Sequence, residues 1–192
     1  MMRENIKKEI LRKSFHITGI TIPISYLFFG KNFTILYISS LIIISIFIEL
    51  LRIRVPILFP INKVVESISR KYEKTALASY VYFFMAALLV TFFLSIKATI
   101  IGLTSALLGD ATAAILGRIF GKHNIRNKTL EGDLTGMITV TLTTLLLSNN
   151  LLISIIMGFC FSILDLIDFK FDDNFVIPFG MSLIYEILEM IL

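Results

Sequence analysis

The sequence predicts an all-α polytopic membrane protein with a single domain, and three observations lead to this prediction. Hydrophobic residues make up 56% of the 192 residues, and the mean hydropathy is +0.87, whereas soluble domains have about 45–50% apolar residues. Apolar stretches of nearly membrane-spanning length recur along the whole chain. No internal repeat or Gly/Ser-rich linker divides the sequence, so residues 1–192 are predicted to form one domain.

Seven helices are predicted to span the membrane. In chain order they cover residues 15–30, 33–51, 77–95, 98–116, 134–147, 151–167 and 175–192. Several are shorter than the roughly 20 residues that a perpendicular span needs. The alternative is a bundle in a locally thinned membrane, or a pair of re-entrant helices that do not cross it. The fifth and sixth helices are the ones to which this alternative mainly applies. The basic N-terminus and first apolar stretch resemble a secretory signal, but no small-residue cleavage site follows, which predicts a retained span.

The loops between these spans predict how the bundle is oriented. Of the 18 Lys and Arg residues, only Lys31 and Lys97 fall on one side of the predicted membrane. The positive-inside rule then predicts a cytosolic N-terminus, in the cytoplasmic membrane if the protein is prokaryotic. The net charge of +4 is explained by these positive loops, so the sequence does not indicate binding to nucleic acid.

The connection after the second span predicts an amphipathic helix near residues 61–74. It follows the break at Pro56 and Pro60, and one face is apolar whereas the other is mostly basic. Such a helix lies in the membrane interface with its basic face against lipid headgroups. A solvated linker helix is the alternative.

Asp110 is a carboxylate inside the fourth predicted span. An Asp at mid-membrane costs about 2.5–3.5 kcal/mol on the insertion scale, so its presence indicates a function. Small residues surround it, and Gly109, Ala113, Gly117 and Gly121 recur at every fourth position. The alternative is a packing seam of small residues in which Asp110 only caps a helix or pairs with an Arg. Packing explains the glycines but not the carboxylate.

The loop after this span has the residue types that bind a nucleotide. Gly121 and Gly132 permit close backbone approach, and Asp110 and Glu131 provide two carboxylates for Mg²⁺, which binds one or two carboxylates together with phosphate oxygens. No Walker A loop or dinucleotide fingerprint is present. The candidate phosphate partners are Lys122, His123, Arg126, Lys128 and the hydroxyl of Thr129.

Three further polar groups are predicted on the same side of the membrane. They are Arg12, Lys13 and His16; Glu49 and Arg52; and Asp172, Asp173 and Asn174 before Pro178. Arg12 and Lys13 are expected to contact a nucleotide or acceptor phosphate, and the alternative is that they only determine the membrane topology. For Glu49 and Arg52, the alternative is an interfacial ion pair. Three of these residues are candidates for a general base: His16, Glu49 and Asp173.

Several other kinds of chemistry are excluded or unsupported. Two distant histidines exclude a His-rich metal site, and the single Cys160 excludes an intrachain disulfide. The hydrolase motifs G-x-S-x-G and H-E-x-x-H do not occur.

Four segments together resemble the polyprenol kinase family, whose relatives include dolichol, phytol and farnesol kinases and the CTP-dependent diacylglycerol kinase. The segments are RKSFH at 12–16, ELLR at 49–52, GDATAAILGRIFGKHNIRNKTLEG at 109–132 and DDNFVIP at 172–178. The resemblance implies transfer of the γ-phosphoryl group of a nucleoside triphosphate, usually CTP, to the hydroxyl of a membrane lipid alcohol. By their match to the family motifs, Asp110 is the motif carboxylate and Gly117 its glycine. Arg12 and Lys13 match the N-terminal basic pair, and the matching nucleotide loop comprises Lys122, Lys128, Thr129, Glu131 and Gly132.

Two alternatives remain. The central motif also resembles phosphatidate cytidylyltransferases, which attack the α-phosphorus of CTP. Their loop typically has an Ile-Ser-Pro-x-Lys element, where this chain has Asn124, Ile125, Arg126 and Asn127. A small transporter or scaffold is the other alternative, although no inverted repeat or pair of broken helices supports it. The sequence indicates neither a particular lipid alcohol nor an oligomeric state.

Overall fold

The computed structural model describes residues 2–54, 77–126 and 128–192. The amphipathic helix predicted near residues 61–74 lies outside the described residues. The elements are α1 (Met2–Ile17), a 3₁₀ turn (Thr18–Ile20), α2 (Thr21–Arg54), α3 (Ser79–Phe93), α4 (Ile96–Phe120), the short antiparallel strands β1 (Asn124–Ile125) and β2 (Lys128–Thr129), α5 (Leu130–Ser148), α6 (Leu151–Leu166) and α7 (Asp173–Ile191).

The predicted all-α class is confirmed. Among the described residues, four helical stretches are long and apolar enough to cross a membrane: Glu9–Arg52, Ile96–Phe120, Leu130–Ser148 and Asp173–Ile191. The helices α3 and α6 are apolar but shorter. These lengths and compositions fit a membrane protein, while seven complete spans and a cytosolic N-terminus stay predictions.

Helix α2 is folded into a hairpin at Gly30. In a continuous helix, residues 21 and 37 would be about 24 Å apart. The hydroxyl oxygens of Thr21 and Tyr37 are instead 3.0 Å apart, and those of Ser25 and Thr34 are 3.2 Å apart. Gly30 has φ 77°, a conformation that favours glycine. The two halves of α2 therefore run antiparallel, and the turn falls where the sequence separates the first two predicted spans.

Helix α4 lies at the centre of the bundle because it contributes to two apolar clusters. Its residues Ile101 and Ala106 pack in one cluster with side chains of α5, α6 and α7, including the buried Phe161. Its residues Leu103 and Leu107 pack in the other with side chains of α2 and α3. Asp110 follows these residues by about one turn, which places it at the edge of the core.

The small residues of α4 form a close contact with α5. A Cβ atom added at Gly132 would lie 2.6 Å from the carbonyl oxygen of Ala113 and 2.9 Å from the Cα atom of Gly117. At Gly109 it would lie 2.5 Å from Cγ2 of Val140. Side chains cannot approach this closely, so these positions require glycine. The packing seam that the sequence offered as the alternative explanation for the glycines is present.

Polar contacts hold the end of the bundle that lies away from Asp110. Lys31 Nζ donates to the carbonyl oxygen of Phe92 at 2.7 Å. The carboxylate of Glu186 accepts from the hydroxyl and the backbone N–H of Ser95, and Lys97 forms an ion pair with Glu189. We call this group the far end. Glu186 and Glu189 thus connect α7 to the start of α4 and are not near the candidate site.

Candidate functional site

Asp110 is contacted by two residues of α1. Lys13 Nζ forms an ion pair and hydrogen bond with Asp110 Oδ2, and His16 Nε2 lies 3.4 Å from the same oxygen. Lys13 and His16 are three residues apart and therefore share one face of α1. The side chain of Lys13 is 5% exposed and that of Asp110 is 21% exposed. The structure thus brings together residues that the sequence predicted separately for the N-terminal group and for the fourth span.

A small cavity opens beside Asp110, between α1, α4 and the start of α7. Asp172 caps α7, because its Oδ1 accepts from the backbone N–H of Asn174 at 2.9 Å and from Asn174 Nδ2 at 2.6 Å. This cap fixes the first turn of α7, whose residues face the cavity. The polar lining residues are His16, Asp110, Asp173 and Asn174, and the apolar lining residues are Ala106, Ile177 and Pro178.

Lys128 connects the β1–β2 hairpin to this cavity. Its Nζ donates to the backbone oxygen and to Oδ1 of Asp165, at 2.5 and 2.9 Å, and to Oδ2 of Asp173 at 3.3 Å. Burial lowers the pKa of Lys128, but the carboxylates of Asp165 and Asp173 outweigh it and raise the pKa above its ordinary value. Lys128 is therefore a charged ammonium held next to the carboxylate that lines the cavity.

The other predicted loop residues hold the loop in shape. Thr129 caps α5, because its Oγ1 accepts from the backbone N–H of Gly132 at 3.2 Å. Glu131 accepts from the backbone N–H groups of Lys122 at 3.0 Å and His123 at 3.2 Å, and its Oε1 lies 2.7 Å from His123 Nδ1. The side chains of Lys122 and His123 are exposed. Gly117 and Gly121 contact Thr129 across the loop.

The structure does not bring together Asp110 and Glu131, the two carboxylates predicted to bind one ion. Glu131 is held at residues 122 and 123, just beyond the end of α4. Asp110 lies ten residues before that end, which is about 15 Å along a helix. Asp173 is the carboxylate that shares the cavity with Asp110. Within the described residues, no group of three or more His, Cys, Asp or Glu side chains is arranged to hold a metal ion.

Arg12 lies beside the cavity but does not line it. Its guanidinium pairs with Glu9, and Glu9 Oε2 lies 3.0 Å from Arg118 Nε of α4. The nearly buried Glu9 carboxylate thus joins α1 to α4. The sequence did not assign a role to Glu9 or Arg118.

Glu49 and Arg52 form a buried group of their own. Glu49 accepts from Arg52 Nη2 at 2.6 Å, from the hydroxyl of Tyr80 at 2.6 Å and from the backbone N–H of Ala78 at 3.2 Å. The hydroxyl of Ser79 donates to Asp172 Oδ2 at 3.3 Å. Glu49 and Arg52 thus form an ion pair, as in the alternative prediction, whereas its position at the membrane interface stays a prediction. Through Tyr80 and Ala78, Glu49 joins α2 to the start of α3.

Two buried carboxylates near the site were not predicted to have a role. Asp165 is 3% exposed and pairs with Lys128, and Asp133 is 3% exposed and accepts a 2.6 Å hydrogen bond from the hydroxyl of Ser162. Both lie in or next to apolar helices. The free-energy argument that singled out Asp110 applies to them equally and is the sequence signal that could have found them.

The fold and the site together define an all-α protein of membrane type with a charged cavity between its helices. No protein-family model, curated protein or solved structure matches the chain. Its function must therefore be argued from the site itself.

Proposed function

We propose that this protein transfers the γ-phosphoryl group of a Mg²⁺-bound nucleoside triphosphate to the hydroxyl of a membrane lipid alcohol. The products are a lipid phosphate and a nucleoside diphosphate. The resemblance described above suggests CTP as the donor and CDP as the product. The observation that carries the proposal is that His16, Asp110 and Asp173 line one cavity in an apolar bundle. Lys13 pairs with Asp110, and Lys128 pairs with Asp173.

The residue types at this cavity fit phosphoryl transfer. This reaction depends mainly on positioning and on neutralising phosphate charge. Lys13 and Lys128 supply two ammonium groups, and Lys13 is fixed by its pair with Asp110. Asp110 and Asp173, which both line the cavity, supply hard oxygen ligands and would hold Mg²⁺, which needs only one or two protein carboxylates. When bound, the ion supplies charge neutralisation for the phosphate groups.

The surroundings of the cavity fit a lipid acceptor. Three residues that line the cavity are apolar, Ala106, Ile177 and Pro178, and large apolar side chains cover the outside of the bundle. A lipid alcohol would keep its tail in the bilayer and present its hydroxyl to the cavity. The proposal includes seven spans and a cavity that opens to the cytosol, where nucleoside triphosphates are found.

Two of the three candidates for the general base lie at the cavity. His16 and Asp173 line the cavity, whereas Glu49 is held by Arg52 and Tyr80. In the proposed reaction, the acceptor oxygen forms a bond to the γ-phosphorus while the bond to the β,γ-bridging oxygen breaks. The hydroxyl proton passes to His16 or Asp173, and the nucleoside diphosphate leaves.

Isotope position tests this proposal. Purified protein in detergent is incubated with Mg²⁺, with γ-labelled or α-labelled CTP, and with polyprenols, phytol and diacylglycerol. Label from the γ position in the lipid fraction supports the kinase. Label from the α position would instead support a cytidylyltransferase, and the absence of both labels would overturn the proposal.

Variants connect this activity to the cavity. Asp110→Asn should abolish transfer. Glu189→Gln is the matched control, because it also removes one carboxylate that pairs with a lysine, but at the far end, and it should retain transfer. Equal activity of the two variants would show that Asp110 is not part of the active site.

A further inference from the structure

Lys128 uses all three of its donors, and it uses them toward two different residues. A lysine ammonium has three N–H groups and no acceptor. Two of them are directed to Asp165, at its backbone oxygen and its Oδ1, and the third is directed to Asp173 Oδ2. A phosphate oxygen can bind this ammonium only by replacing one of these acceptors.

The two carboxylates are not equally easy to replace. The side chain of Asp165 is 4% exposed, and its contacts measure 2.5 and 2.9 Å. The side chain of Asp173 is 27% exposed, and its contact is the longest at 3.3 Å. Releasing Asp165 would leave a buried charge unpaired, which is strongly unfavourable. Releasing Asp173 would leave a carboxylate that water can reach.

The contact between Lys128 Nζ and the backbone oxygen of Asp165 further stabilises the pairing of these two residues. Asp165 lies in the last turn of α6, which ends at Leu166. Carbonyl groups in the last turn of a helix lack helical partners, and the helix dipole favours a cation there. The ammonium of Lys128 therefore receives a carboxylate and a helix C-terminus from the same residue.

We propose that Asp165 is the positioning residue for Lys128 and that Asp173 is its exchangeable partner. Asp165 holds the ammonium from the protein side and does not contact the substrate. A phosphate oxygen of the nucleotide takes the place of Asp173 at the third N–H, and the Asp173 carboxylate is then free within the cavity that it shares with Asp110. This inference rests on the proposed function.

The first test separates nucleotide binding from turnover. Asp165→Asn removes the charge but keeps the backbone oxygen, so Lys128 loses one charge-assisted hydrogen bond. We expect the KM for the nucleotide to rise about tenfold, with a smaller change in kcat. Asp168→Asn is the matched control, since it removes a charge from an exposed residue three positions later, and it should leave KM unchanged.

The second test shows whether Asp165 acts through Lys128. In a Lys128→Met background, Asp165→Asn should cause no further rise in KM, because the group that it positions is gone. The same substitution should raise the thermal stability of Lys128→Met, because it removes a buried carboxylate that has lost its partner. If Asp165→Asn alone does not fold, the comparison of Lys128→Met with the double variant decides the question.

The possible outcomes distinguish the two proposals. If the wild-type protein transfers no label, the proposed function is overturned. If the wild type is active but Asp165→Asn leaves KM unchanged, the positioning role is wrong and the proposed function stands. The positioning role is also wrong if Asp165→Asn raises KM by the same factor with and without Lys128.

Discussion

The substitution Asp110→Asn should lower the stability of the protein as well as its activity. It removes the negative charge that pairs with Lys13, whose side chain is 5% exposed. Removing one partner of a buried ion pair costs about 3–5 kcal/mol, because the other charge remains buried. Asp110 is 21% exposed, so water screens part of this interaction. We therefore expect a loss near the lower limit, about 3 kcal/mol.

The double variant Lys13→Met/Asp110→Asn separates stability from activity. It removes both charges, and methionine has nearly the volume of lysine. Replacing a whole buried pair in this way is often close to neutral, so its free energy of unfolding should lie within about 1 kcal/mol of the wild type. The coupling energy also subtracts the cost of the single variant Lys13→Met, so its magnitude should be at least about 2 kcal/mol. This double variant should therefore be folded and stable but unable to transfer the phosphoryl group.

Reversible unfolding in mixed micelles, followed by helical circular dichroism, measures these differences. The matched control is Lys97→Met/Glu189→Gln at the far end, where the side chains are 49% and 31% exposed. Exposed pairs contribute about 0–1 kcal/mol, so the control cycle should show little coupling. An Asp110→Asn protein as stable as the wild type, or equal coupling in the two cycles, would refute the assignment of Lys13 and Asp110 as a buried pair.

Three further predictions concern the packing and the charged loop. Gly132→Ala should lower the free energy of unfolding by about 1–3 kcal/mol, since its Cβ would lie 2.6 Å from the Ala113 oxygen. The control Gly180→Ala should cost less, because its Cβ meets only a flexible leucine side chain at 3.1 Å. An equal cost of the two substitutions would contradict the close contact at Gly132. Gly30→Ala meets no atom within 4 Å, so unfolding should show only the cost of the backbone conformation at φ 77° and ψ −178°, about 1–3 kcal/mol. Lys128 has a folded pKa above 10.5, so its stabilisation is complete below the unfolded pKa and is lost as the pH rises through the folded value. The stability difference between wild type and Lys128→Met should therefore be constant from about pH 7 to 9 and shrink in more alkaline solution; a decrease within that neutral range would contradict the charged contact.

The positions of the helices were largely predictable from the sequence, whereas several of their ends were not. Apolar runs locate helices because burial in a core or bilayer requires them. The fifth predicted span began at residue 134, yet α5 begins at Leu130. Glu131 and Asp133 lower the local hydropathy, while Thr129 caps the helix through a hydrogen bond that hydropathy does not register. The seventh predicted span likewise began at residue 175, whereas α7 begins at Asp173. Here Asp172 caps the helix through a hydrogen bond that hydropathy does not register.

The sequence predicted which residues belong to the candidate site better than it predicted which of them contact each other. The free-energy cost of a carboxylate in an apolar span singled out Asp110, and the basic residues of α1 do meet it. The sequence also paired Asp110 with Glu131 as ligands of one ion, and this pairing was wrong. Sequence spacing does not show that α5, which carries Glu131, begins beside the end of α4. The partnership of Lys128 with Asp165 depends on the loop between β1 and β2, where Arg126 has a positive φ of 54°. Such loop conformations are not determined by local residue pattern.

The ion pair between Lys13 and Asp110 also sets an order of events during synthesis. The two residues are separated by 97 positions, so at about 5–20 residues per second the ribosome completes Asp110 roughly 5–20 s after Lys13. During that interval Lys13 on α1 lacks the carboxylate with which it pairs in the folded protein. The carboxylate proposed for catalysis is therefore also the group that pairs α1 with α4, and this pair forms only after α4 has been synthesised.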